Sequence, residues 1–153
     1  MKKLLLLILL SAIGASASAA SNCSITYATD NQLSAIIKEK AFEFDNSDGV
    51  CQRLKSANAK VNLRYSSAIN TRQATAVVIA VVEDTTLPIN SSHYSYSMTS
   101  NPERTTAHEK DVLILAVNNA LNGIDQSAID SLNENRKKLG FKTYPTSVNS
   151  NKK

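Results

Sequence analysis

Apolar positions in this chain recur first at helical spacing, then at strand spacing, then at helical spacing again. Thr29-Asp30-Asn31-Gln32 has the form of a capping box, with Thr29 as N-cap and Gln32 three residues on. Leu33, Ile36, Ile37, Ala41 and Phe44 follow at helical intervals, with Lys38, Glu39 and Glu43 on the opposite side. The spacing predicts a helix over about Asp30 to Phe44. Asp45-Asn46-Ser47-Asp48-Gly49 breaks it, and a short second helix or turn over Val50 to Ser56 would carry Cys51.

The period then changes. Val61, Leu63 and Tyr65 alternate with Asn62, Arg64 and Ser66, the mark of a half-buried strand. After a connection at Asn70 to Gln73, Ala74 to Val82 is an almost continuous aliphatic and β-branched run. That composition predicts a central strand buried on both faces. Glu83 to Ser92 reads as a loop around Pro88, and His93 to Met98 alternates again as a third strand. Pro102 suits a first helical position behind Asn101 as cap, and the helix it opens carries Leu113, Ala116, Val117, Ala120 and Leu121 on one side. Gly123-Ile124 gives it a Schellman ending. A last helix over Ser127 to Leu139 ends the same way at Gly140-Phe141. The fold class expected is α+β: a three-stranded antiparallel meander with an N-terminal helix and two C-terminal helices packed on one face.

The two ends alter this picture. Lys2 and Lys3 precede an aliphatic run from Leu4 to Leu10, and Ala17-Ser18-Ala19 supplies small residues for cleavage, so residues 1–19 read as a secretory signal peptide. The run is shorter than the ~20 residues that span a bilayer. The folded domain is expected over residues 20–144, with a polar, basic and disordered tail over 145–153. A short leader opened by a lysine pair points to a periplasmic or secreted protein. In that oxidising setting Cys23 and Cys51 are expected to form one disulfide, a staple around the first helix.

Charge and chemistry follow. Of 17 Lys and Arg, Lys2 and Lys3 fall in the leader, leaving 15 against 13 acidic side chains. The positive excess gathers late: Arg136, Lys137, Lys138, Lys142, Lys152 and Lys153 against Glu134. Arg136, Lys137 and Lys138 read in two ways. They form a basic patch for an acidic partner or a peripheral membrane contact, or, more ordinarily, they complement the dipole at the end of the last helix. Nucleic acid is not expected of an exported chain with so little aromatic interleaving.

His108-Glu109 begins a zinc-protease pattern, but Val112 stands where its second histidine belongs. There is no nucleophile elbow and no phosphate-cradling glycine loop, and neither a metal nor another cofactor is expected. His93, Tyr94 and Tyr96 place three ring side chains in four residues. Tyr94, Tyr96 and Met98 read most simply as the inner face of an ordinary strand; the alternative is a rigid, amphipathic protein contact. The function expected is an exported protein that binds a protein partner, as an inhibitor, an immunity-type protector or an envelope accessory subunit. The alternatives are a small secreted hydrolase using a His/carboxylate site and a lipid- or solute-binding module.

Overall fold

The computed structural model describes residues 23–145; the expected signal peptide and nearly all of the expected tail lie outside them. The element order is β1 (Tyr27–Ala28), α1 (Asn31–Lys40), α2 (Ser47–Ser56), β2 (Ala59–Ile69), β3 (Ala74–Asp84), β4 (Asn90–Asn101), α3 (Thr106–Asn122) and α4 (Gln126–Lys138). The class is α+β, with one sheet in the order β1-β2-β3-β4. The meander of β2, β3 and β4 is antiparallel as expected, but β1 joins it in parallel through Tyr27 and Val61, which makes the sheet four-stranded and mixed. Two residues are too few to show an alternation, so the pattern carries no signal for β1.

Helix boundaries differ for local reasons. The N-cap of α1 is Asp30, whose carboxylate accepts from the N–H of Leu33 at 2.8 Å; Thr29 instead donates its hydroxyl to the carbonyl of Leu63. The helix stops at Lys40, because Ala41 turns to φ 60° while its N–H closes on Ile37. Phe42 and Phe44 lie beyond it, and Phe42 meets Tyr27 edge-on with ring centroids 5.3 Å apart. The supposed breaker at Ser47 to Gly49 is the first turn of α2, with Asp48 favourably placed at its positive end. Asn101 caps a turn by accepting from Glu103, and α3 begins only after Thr105, its actual N-cap. Gly140 at φ 77° closes α4 as expected, with Phe141 N–H on Arg136 and Gly140 N–H on Lys137.

All four helices pack on one face of the sheet. Between them lies a core that includes Leu33, Ile37, Val50, Leu54, Val61, Val78, Val82, Leu113, Val117, Leu121, Ile129 and Leu132. The run in β3 is central but not buried twice over. Ala74, Ala76, Val78, Ala80 and Val82 are buried, whereas Val77 and Val81 are half-buried and Ile79 is exposed. The disulfide joins Cys23 to Cys51 with Cα atoms 5.9 Å apart, tying the segment before β1 to α2. No helix among the described residues is long and apolar enough to cross a membrane.

Candidate functional site

The helix-free face of the sheet carries the feature that stands out. Tyr94, Tyr96 and Met98 lie there, 64%, 69% and 63% exposed, not inward as the simpler reading of the strand has it. Their cross-strand partners on β3 are Val81, Ile79 and Val77, so six apolar or aromatic side chains form one two-strand patch. The inner positions of β4 hold Ser95, Ser97 and Thr99. Small residues are needed there because the helices come close: Thr99 donates to the carbonyl of Val112 at 2.6 Å, and a Cβ on Gly123 would run into Ser95. Gly123 itself has φ −79°, so its role is close approach and not the left-handed turn expected of it.

β4 is also a sheet edge, and backbone parity shows which of its peptide groups are free. Val61 donates to Thr26 at 3.0 Å, so its peptide groups face β1 and the Val61–Val82 pair is not hydrogen-bonded. Alternation then makes Val81, Ile79 and Val77 bond to β2, and their β4 partners Tyr94, Tyr96 and Met98 aim N–H and C=O out of the open edge. The hairpin bond from Asn70 N–H to Gln73 C=O and the bond from Asp84 N–H to Ile89 C=O give the same parity. No described residue hydrogen-bonds to these edge-facing groups of Tyr94, Tyr96 and Met98.

α4 covers the first residues of the edge. Ser92 donates to Ser131 Oγ at 2.9 Å, and Asn135 donates to the carbonyl of Asn90 and to Ser92 Oγ. From His93 onward the edge is open. Natural edges are usually blunted by Lys, Pro or an inward charge. Asn90–Asn101 contains no Asp, Glu, Lys, Arg or Pro. On the far side of the sheet, β1 and the Thr29–Leu63 hydrogen bond cover part of β2, and its exposed Arg64 supplies the blunting charge.

The basic cluster divides. Lys137 and Lys138 are exposed, but Arg136 is fully buried and belongs to no surface patch. Its guanidinium makes five hydrogen bonds: Nε and Nη2 to Asp84, Nη1 to the carbonyl of Ala57 and to Asn133, and Nη2 to the carbonyl of Asn58. Tyr144 lies over it with the ring centroid 4.7 Å away. The clasp fixes α4 against the turns that precede β2 and β4. Both the dipole reading and the patch reading miss this, because the decisive partner, Asp84, stands 52 residues earlier.

Burial pushes the Asp84 carboxyl up, but the N–H groups of Thr86 and Leu87, the Arg136 guanidinium and the Thr86 hydroxyl together lower its pKa to about 2. The charged form is therefore favoured by folding. This contribution is complete above the ordinary carboxylate value of 3.8 and is lost as pH falls through about 2. Denaturation midpoints measured from pH 7 to pH 2 are expected to show this group's share, about 2 kcal/mol, disappearing below pH 4. Asp84→Asn should start lower and lack that part of the slope; an unchanged slope would contradict the assignment.

The histidines lie apart. His93 lies in the irregular stretch of β4 between the Glu83–Asn90 and Val81–Tyr94 pairs, and its field adds a minor lowering to Asp125, whose pKa is held down first by the hydroxyl of Ser127. His108 bridges Glu103, at 2.9 Å from Nε2, and Thr105 Oγ1, at 2.7 Å from Nδ1. Thr105 Oγ1 also accepts from the N–H of His108, so the trio works as an exposed helix cap. A cleft of about 210 Å³ between α1 and the start of α3 is lined by Ile36, Glu39, Glu109, Lys110 and Leu113 among others, and by neither histidine. Among the described residues no three His, Cys, Asp or Glu side chains cluster closely enough to share a metal ion. No family model, curated protein or solved structure matches the chain.

Proposed function

We propose that this is an exported, periplasmic or secreted protein that acts by binding a protein partner, as an inhibitor, an immunity-type protector or an envelope accessory subunit. One observation carries the reading. The same residues, Tyr94, Tyr96 and Met98, offer free backbone groups at an uncharged edge and apolar side chains on a face without helices. Such an edge supports strand addition, in which main-chain hydrogen bonds give affinity and alternate side chains give specificity. The disulfide and the leader-like residues 1–19 support export. Crosslinking and capture from the native envelope is expected to yield a discrete partner with the wild-type chain. That partner should be lost with Tyr94→Asp/Tyr96→Asp and retained with Lys137→Ala/Lys138→Ala. The reverse pattern would move the site to α4.

The hydrolase reading draws on one specific contact, that of His108 with Glu103 and Thr105. As a cap, His108 can be removed at little cost: His108→Ala is expected to lower stability by under about 1 kcal/mol and to leave biological effect intact. Loss of effect in a folded variant would revive the hydrolase.

A further inference from the structure

We infer that the open edge of β4 pairs with the same edge of a second copy of this chain, antiparallel about a two-fold axis at Ser97. The inference rests on the reading of β4 as a protein-binding surface and names the partner. The register follows from two constraints. α4 closes the edge at Asn90 and Ser92, which leaves His93 to Asn101 open, with Ser97 at its centre. Peptide groups point outward at Tyr94, Tyr96, Met98 and Ser100, so an antiparallel partner must bring these positions opposite one another. Centring on Ser97 does this: Tyr94 faces Ser100 of the other copy and Tyr96 faces its Met98, for about eight new backbone hydrogen bonds.

The side chains suit this apposition. Tyr96 against Met98 is a sulfur–aromatic pair, made twice by the symmetry. The strand holds no Asp, Glu, Lys or Arg, and His93 faces Asn101 of the other copy, so no like charges meet in the two-fold pairing. Nor does the strand offer an Asp, Glu, Lys or Arg with which to select an oppositely charged foreign strand. The pairing would join two four-stranded sheets into one continuous sheet of eight.

Sedimentation equilibrium of residues 20–153 over a wide range of concentration tests this. The expected result is a rise from monomer to twice the monomer mass, with dimerisation weakened at least about tenfold in Tyr96→Asp, which puts a charge against Met98. Ser97→Cys fixes the register. Directly opposed residues of a non-hydrogen-bonded pair stand about 4.5 Å apart. That lies within the span of about 4.4–6.8 Å that a disulfide bridges. Ser97→Cys should therefore form a covalent dimer under mild oxidation, and Ser66→Cys on β2 should not. A chain that stays monomeric throughout, with no Ser97→Cys dimer, overturns the inference. If that monomer still captures a different protein through Tyr94 and Tyr96, the dimer fails and the proposed function stands; if it captures none, both fail.

Discussion

Arg136→Ala is expected to destabilise the domain by about 3–5 kcal/mol, because it strands the Asp84 carboxylate without its guanidinium. Asp84 is almost fully buried, and its Oδ2 receives both Arg136 contacts while Oδ1 is held by the turn at Thr86 and Leu87. Arg136→Lys should recover only part of the loss, since an ammonium cannot reproduce a planar fork that reaches Asp84, Asn133 and two carbonyls at once. Urea unfolding followed by circular dichroism is the check; a loss below about 1 kcal/mol would mean that the clasp is ornamental. The effect should reach β4, because the same helix holds Ser92 through Ser131 and Asn135.

Removing the disulfide ranks second. Cys23→Ser/Cys51→Ser opens a link spanning 28 residues. The chain-entropy relation gives about 3.5 kcal/mol for a loop of that size. The loss should show first at β1, which pairs through Tyr27 and Ala28 alone and packs on Phe42. Hydrogen exchange at Val61, whose N–H bonds to Thr26, is expected to accelerate before that of the β2–β3 ladder. Against a typical domain stability of about 5–15 kcal/mol, either change alone is serious, and the two together should leave little folded protein. Equal exchange along β1 and β2 in the double serine variant would contradict a loss that begins at β1.

What the chain declares in its pattern and what it withholds have physical reasons. β2, β3 and the helix around Leu33, Ile36 and Ile37 were legible because their apolar residues recur at the proper period, although the aliphatic run of β3 buries one face and not the two expected of it. The end of α4 was legible too, since Gly140 answers a positive φ. The inner side of β4 was not. Its alternation sets tyrosines against serines, and the usual rule puts the rings inside. That rule gives way because Gly123 and Val112 pack so closely that only Ser95 and Thr99 fit beneath them. The candidate site was thus visible as three rings in four residues, while its exposure depended on helices that come later in the chain. Arg136 shows the opposite failure: a residue that looks like surface charge at a helix end is the centre of a buried clasp.

The central claim is that the protein works through the open edge and outer face of β4. A photo-crosslinking residue at position 96, compared with the same residue at exposed position 138, tests it most directly in the native compartment. The account predicts one or two discrete adducts from position 96, each either twice the monomer mass or a single further protein, and none from position 138. Discrete adducts from position 138 with none from position 96 would contradict it.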